Sequence, residues 1–394
     1  MLAELLDPRN RADPYAVYSG WREKAPVVRA GGPFVVLGHG EAEQVLRGAE
    51  FGHPAPEVVD GGDPDHPVDA RGRVVRAFVY LNPPDHTRLR RLVSKAFTPR
   101  VVEELKPRIE ALAAEAVDRI LDAGGANLMA ALAVPLPVTV IAELLGVPLE
   151  DRERFGDWSA AMARASDPGF LLPPGVGERA AQARREFIAY FRDLAAERRR
   201  KPGEDLLSAL VAVSDQGETL SEGELLVTLT LLLLAGHVTT TNLIGNGVLA
   251  LLRHPEQYAA LSRDASLVDG AVEEILRYDS PIQLAPRTAL DDAKLGDVEL
   301  AAGDSVLVLV GAANRDPRAH HAPDTFDITR PPARHLAFGH GIHFCLGAPL
   351  ARLEGRTVLR ELARRAPGLR LGGEPEWAAT ATLRGLSVLP VTVA

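Results

Sequence analysis

The stretch FGHGIHFCLG, residues 338–347, narrows the possibilities most, because it holds the only cysteine among 394 residues. One cysteine makes no intrachain disulfide, so a packed core must hold the fold and no oxidising compartment is needed. The cytosol suits such a chain. A lone cysteine is usually a small core hydrophobe, but this one has unusual neighbours. Gly339, Gly341 and Gly347 allow a tight, close-approaching backbone on either side, and a helix-like run, APLARLEGRTVLREL, follows at once. Backbone N–H groups and a helix N-terminus there favour a thiolate at Cys345.

Three chemistries use such a sulfur. One is a cysteine nucleophile with His340 or His343 as its base. Zinc is a second, although one Cys and two His at this spacing fit no common site. The third is an axial thiolate on haem iron, which needs N–H donors to the sulfur and a wall over the macrocycle, a part open to Phe338.

The remaining composition is that of a globular protein, with 46% hydrophobic and 25% charged residues. A net charge of -9 gives no electrostatic footprint for nucleic acid. The opening MLAELLDPRNRADPY lacks the charged-then-apolar pattern of a signal peptide. The most apolar stretch, LLVTLTLLLLAG at 225–236, is too short to span a bilayer, so no membrane anchor is expected.

Helical periodicity dominates from about residue 83. In PPDHTRLRRLVSKAF, Leu89, Leu92, Val93, Ala96 and Phe97 share one helix face, and Asn82 or Asp85 with Pro84 offers a start. Further helices are expected at roughly 101–122, 179–199, 221–252 and 268–278. DSVLVLV at 304–310, after the turn AAGD, is the clearest strand. Long loops are expected at 51–73, 165–178 and 313–344, where Gly, Pro and Asp block regular structure. No linker divides the chain, so the expected architecture is one mainly α domain, 1–394, with small β-sheets.

FGHGIHFCLG resembles the haem-binding loop of the cytochrome P-450 superfamily, Phe-Gly-x-Gly-x-His/Arg-x-Cys-x-Gly, and meets every defined position. The resemblance extends through the chain, from DPYAVYSGWREKAPVV to LRGLSVLPV. In AVEEILRYDSP, Glu274 and Arg277 stand at i and i+3. Alone they read as a solvated ion pair of little worth. The resemblance implies a buried pair joined by Arg330 of FDITRPP, holding the core around the haem.

By the same resemblance, haem b lies between the long helix at 221–252 and the cysteine loop with its helix, with Cys345 as axial ligand, Phe338 against the ring and Gly347 closing the loop. His86 and Arg90 of PPDHTRLRR, with Arg287 and His343, are implied as donors to the haem propionates. AGHVTTTN, 235–242, matches the oxygen-side segment, where Ala235 and Gly236 leave room for O2 and Thr239 assists its activation. Without the resemblance, Gly236 reads as a close helix contact and the threonines as bonds back to the preceding turn. Phe78, Val79, Phe170, Leu232, Val238, Ile282, Leu284 and Leu386 are implied as substrate contacts.

One position departs from the pattern. Many relatives have an acid before the threonine, and this chain has Val238. The implied relay of protons then falls to Thr239, ordered water and a substrate hydroxyl, with His237 a lesser contributor, or the oxidant is diverted to coupling, desaturation or epoxidation.

The function so implied is a cytoplasmic, monomeric haem-thiolate monooxygenase acting on a hydrophobic or amphipathic natural product, with O2 as co-substrate. Without a flavin or pyridine-nucleotide fingerprint, its electrons are expected from a separate ferredoxin and ferredoxin reductase. Arg88, Arg91, Lys95 and Arg100 are either its docking patch or a solvated basic helix face. A peroxide-fed enzyme is the nearest alternative and a haem-binding sensor a more distant one.

Overall fold

The computed structural model describes residues 4, 5, 7–57, 66–167, 172–332 and 334–393. Phe170, expected as a substrate contact, lies outside them. Two compact units are built from interleaved segments: residues 1–52, 107–136 and 239–394 form the first, and 53–106 with 137–238 the second. Both are mainly helical, with small sheets as the only β-structure described.

The largest sheet belongs to the first unit. Its strands run in the order Val27–Arg29, Phe34–Val36, Ser305–Leu309, Leu284–Ala289 and Phe51–Gly52. All neighbours are antiparallel except Phe34–Val36 beside Ser305–Leu309, where Val35 stands opposite Leu307 in parallel. Both faces are covered. Val36, Val306 and Val308 pack with Val45, Leu295 and Leu300, while Val35, Leu37 and Leu309 pack with Tyr15, Tyr18 and Trp21. A strand buried on both faces reads as a continuous apolar run rather than an alternation, which explains SVLVL.

Helices of the same unit approach closely through glycine. A Cβ at Gly247 would lie 2.8 Å from Ile275 Cδ1, and one at Gly355 3.3 Å from Leu243 Cδ2. The helix Val268–Tyr278 therefore packs against both the second half of the helix Glu222–Arg253 and the helix Ala348–Arg365.

The helix Glu222–Arg253 opens on a capping box. Ser221 Oγ accepts from the Glu224 N–H at 3.2 Å, and Glu224 Oε2 accepts from the Ser221 N–H at 2.8 Å. At 32 residues it is long and apolar enough, by length and composition, to cross a bilayer. That corrects the reading of residues 225–236 as a short apolar stretch. Its most apolar window is 56% buried within the protein, as in a core helix.

In the second unit, the helix Asp85–Ala96 buries His86, Leu89, Leu92, Val93 and Ala96 along one face. Asn82 does not cap it. Its side chain instead bonds the backbone N–H and C=O of His53, at 2.9 and 2.7 Å. The helices Arg152–Ala163 and Val176–Arg200 join through Phe155, Trp158, Phe187 and Phe191, with the last two ring centroids 4.4 Å apart.

Candidate active site

In the cysteine loop, the Cys345 N–H donates to the Phe338 carbonyl at 2.9 Å, closing the segment into a tight turn. Gly339 and Gly341 take φ of 71° and 70°, conformations that L side chains rarely adopt. Gly341 also has no space for a side chain, since a Cβ would lie 2.8 Å from the Leu46 carbonyl oxygen. Gly347 differs. Its φ is -82°, and a Cβ there would sit 3.9 Å from Cys345 Sγ, an ordinary contact. It serves as N-cap of the helix Ala348–Arg365, so the half-buried sulfur lies next to a helix start.

A charged cluster that sequence reasoning missed stands behind the loop. The Arg352 guanidinium lies 4.5 Å from the centre of the Phe338 ring and grips Glu273 with two bonds of 2.6 and 2.9 Å. His335 Nε2 is 3.1 Å from the same carboxylate. Burial pushes the Glu273 carboxyl up, but the bonds from Arg352 and His335 outweigh it and hold the group at about 2. Glu273 raises the pKa of Arg352, and the charge of Cys345 adds to that effect.

The structure brings Glu274, Arg277 and Arg330 together. Arg277 donates to both Glu274 oxygens at 2.7 and 2.8 Å, and Arg330 Nε is 3.2 Å from Oε2. Glu274 and Arg277 are only 3% and 2% exposed, so they are not the surface pair that spacing alone suggests. The guanidiniums also bond the carbonyls of Asn314, Pro323, His321 and Thr325, which ties the helix to the loop before the cysteine.

Arg287 lies on the strand Leu284–Ala289, half-buried. Its hydrogen bond runs to the Pro286 carbonyl at 2.8 Å, and no carboxylate meets it among the described residues. Burial pushes its pKa down to about 10. His343 sits in the 3-10 turn Gly341–His343, whereas His340 Nε2 points to Glu43 at 3.3 Å. That contact turns His340 away from the role of base for Cys345. Leu284 and Leu386 are buried, and Ile282 is bridged to Leu383.

The second unit carries the other expected site residues. His86 is buried, and the Phe78 ring stands edge-on to it at 6.2 Å with the Arg90 guanidinium 5.8 Å from that ring. Phe78 itself is 5% exposed, so little of it remains for a substrate, while Val79 is half-buried. On the long helix, Ala235 is exposed although it stands mid-helix, and Leu232 and Val238 are half-buried. A Cβ at Gly236 would lie 3.2 Å from Ile141 Cδ1, so this glycine is a close helix contact. His237 is buried with Nδ1 2.5 Å from Ser159 Oγ, and burial pushes its pKa down to about 4. A ring so placed is uncharged near neutral pH.

The basic run on the helix Asp85–Ala96 is already paired. Arg88 meets Glu224, Arg91 meets Asp215 and Glu218, and Lys95 meets Asp215; beyond the helix, Arg100 meets Glu104.

Comparison with known proteins decides the family. Residues 64–365 match the Cytochrome P-450 family. The chain belongs to the cytochrome P-450 family. It is similar to the monooxygenase PikC of Streptomyces venezuelae, with 44% identity covering 96% of this chain and 91% of that protein. It is 41% identical to the 6-deoxyerythronolide B hydroxylase of Saccharopolyspora erythraea, over 96% of both chains. The structure of PksS from Bacillus subtilis superposes with a TM-score of 0.90 at 36% identity, covering 99% of each chain. This P-450 is therefore a monooxygenase.

Membership implies haem with a cysteine thiolate ligand, and the residues of the first unit fit it. Cys345 is the chain's one sulfur of that kind, held on a glycine-shaped loop at a helix start. Arg287, a half-buried cation with no carboxylate among the described residues, is suited to an anionic group such as a propionate.

Proposed function

We propose that the whole chain, residues 1–394, works in the cytoplasm as a monomeric, ferredoxin-fed monooxygenase that uses haem b to hydroxylate a polyketide or macrolactone. The single observation that carries the substrate class is the likeness to 6-deoxyerythronolide B hydroxylase along nearly the full length of both chains. The apolar side chains Leu232, Val238, Ile282, Leu284 and Leu386 suit a large, mostly hydrophobic molecule with few polar handles.

In this reading Cys345 would ligate the iron, and Phe338 and Gly347 belong to the loop that would hold the macrocycle. Arg287 and His343 bind propionates, and His86 and Arg90 are assigned the same task. Bound haem supplies the redox chemistry that activates O2. Arg352, held by Glu273, braces the Phe338 ring from behind and keeps its guanidinium within electrostatic reach of the sulfur. Thr239 holds a proton at its Oγ on the oxygen side, with Ala235 and Gly236 leaving the helix slim there.

Two measurements test the proposal. Reduction under carbon monoxide is expected to give a strongly red-shifted Soret band that Cys345→Ser abolishes. With a ferredoxin and its reductase, 6-deoxyerythronolide B or another macrolactone is expected to yield a product heavier by one oxygen atom. An unshifted band overturns the haem-thiolate assignment. Oxidation of steroids or fatty acids with no reaction on any macrolactone overturns the substrate class, and a product that gains no oxygen points to coupling or desaturation.

A further inference from the structure

Ile282, one of the apolar side chains assigned to the substrate, is bridged in antiparallel fashion to Leu383, three residues before Leu386, another of them. The bonds run from the Gln283 N–H to the Thr382 carbonyl at 2.9 Å and from the Arg384 N–H to the Pro281 carbonyl at 2.8 Å. Ile282 and Leu383 themselves exchange no bond, so this is the narrow kind of pair, whose side chains lie closest. Both are half-buried and share one face. Alternation along the chain sends their neighbours Gln283 and Arg384 to the other face.

A buried polar cluster stands behind that other face. Arg384 and Asp279 are each 7% exposed. The Arg384 guanidinium donates from Nε to Asp279 Oδ1 at 2.5 Å, from Nη1 to the Arg11 carbonyl at 2.6 Å and from Nη2 to the Ala12 carbonyl at 3.0 Å. Its Cζ lies 3.8 Å from the centre of the Trp377 ring. Tyr15, at the start of the helix Tyr15–Arg22, donates to the same Asp279 oxygen at 2.6 Å, and Tyr18 donates to Gln283 Oε1 at 3.2 Å. The long helix joins in through Asn246, whose Nδ2 is shared between the carbonyls of Asp279 and Arg384 at 3.2 and 3.0 Å. Gly385 has no room for a side chain, since a Cβ there would overlap Asn242 Oδ1, three residues beyond Thr239.

Such a cluster supplies geometry more than stability. A buried ion pair returns little net free energy, because desolvation offsets the attraction. The planar guanidinium, however, fixes acceptors from chain positions 11, 12 and 279 at once, which neither an apolar side chain nor a lysine does. The segment it holds has little register of its own. Its pairing with Ile282 is a single bridge, and the strand that follows, Leu386–Val388, has three residues.

We infer that Arg384 is a specificity-determining positioning residue: locked to Asp279 and to the N-terminal segment, it sets where Leu383 and Leu386 meet the substrate and hence which carbon is oxidised. All three of its nitrogens are committed to protein acceptors, so it acts through these leucines and does not touch the substrate. A displacement of about 1 Å in a positioning contact changes a rate by roughly a hundred-fold, enough to favour one C–H bond over its neighbour.

The inference rests on the assignment of Ile282 and Leu386 to the substrate made above, and holoenzyme variants test the two separately. Arg384→Gln is expected to raise amide hydrogen exchange in residues 383–388 by about ten-fold, with the strand Ser305–Leu309 and the carbon monoxide band unchanged. On whichever compound the wild type oxidises, the ratio of positional isomers should move by about ten-fold and KM should rise, while kcat for total oxygenated product changes little. Arg384→Lys, which keeps the charge without the fork, should fall between wild type and Arg384→Gln in both measurements. Tyr15→Phe, which removes one bond to Asp279, should move the isomer ratio the same way by a smaller factor, and it decides the question if Arg384→Gln does not fold. Faster exchange with a wild-type isomer ratio and KM would show a structural anchor only and overturn the inference. A shifted ratio with unchanged exchange at 383–388 would overturn it as well. A wild type that leaves every macrolactone untouched, yet whose isomer ratio on a steroid shifts in Arg384→Gln, would strike the substrate class and leave the positioning role standing.

Discussion

Two buried glutamates of the same unit show opposite uses of a carboxyl group. Glu274 and Glu354 are 3% and 1% exposed, on helices packed against each other. Glu274 meets two guanidiniums and a backbone N–H, that of Asp327 at 3.0 Å. Glu354 meets one hydroxyl. The first is a charge whose desolvation is offset by partners on every side, so it locks a loop in place. The second avoids desolvation by staying neutral, so it holds a proton.

Breaking the first arrangement should have the largest effect. Arg277→Ala leaves the buried Glu274 carboxylate with only Arg330 and the Asp327 N–H and is expected to cost about 3–5 kcal/mol, enough to abolish folding or haem retention. Urea unfolding and the ratio of haem to protein measure it. A loss under about 1 kcal/mol would mean that Glu274 is no better anchored than a surface pair.

Glu354 predicts a smaller effect with a distinct pH signature. Its folded pKa of about 8 exceeds the ordinary 4.5, so between those values the folded state binds the extra proton and stability drops as pH rises, levelling above pH 8. The slope is at most about 1.4 kcal/mol per pH unit. Glu354→Gln should remove that slope and gain stability over wild type at pH 8. Parallel curves for the two proteins in chemical denaturation would refute a neutral buried acid.

His237 carries the opposite sign. Its folded pKa of about 4 lies below the ordinary 6.5, so stability is intact above pH 6.5 and lost as pH falls toward 4. His320, both ring nitrogens buried without partners among the described residues, adds to the same window. Ser159→Ala leaves His237 Nδ1 unsatisfied and should cost about 1 kcal/mol. Thermal melts between pH 4 and 7 would show it, and a flat profile would count against a neutral His237.

Local spacing made much of this legible. The glycines and cysteine of the 338–347 loop are read within ten residues, and Glu274 with Arg277 within four. What spacing did not supply was burial, which turns the same Glu-x-x-Arg from a surface pair into a core lock and depends on carbonyls some 40 residues away. Glu354 did carry a signal. Leu350, Leu353, Thr357 and Val358 mark the buried face of its helix, and Glu354 falls on that stripe. An acid on an apolar stripe warrants notice even inside a charged-looking run such as ARLEGR. The partners of the basic helix were hidden for another reason. Asp215 and Glu218 sit on a hairpin of two-residue strands, too short for a periodicity, whose turn at Gln216 and Gly217 has φ of 53° and 82°.

That hairpin sets the smallest expected effect. Arg91 and Lys95 are about 37% and 49% exposed and share Asp215, whose carboxyl is held below its usual range first by the Lys95 bond. Exposed pairs are screened by salt and contribute little. Lys95→Ala should therefore shift the melting temperature less than any substitution above. It should also leave the ferredoxin-driven rate unchanged, because the charge a partner would seek is already neutralised within the protein. Several-fold slower reduction by ferredoxin, steepest at low salt and without loss of stability, would show that the partner competes with Asp215 for this helix. The paired face would then be a docking surface whose own carboxylates act as placeholders.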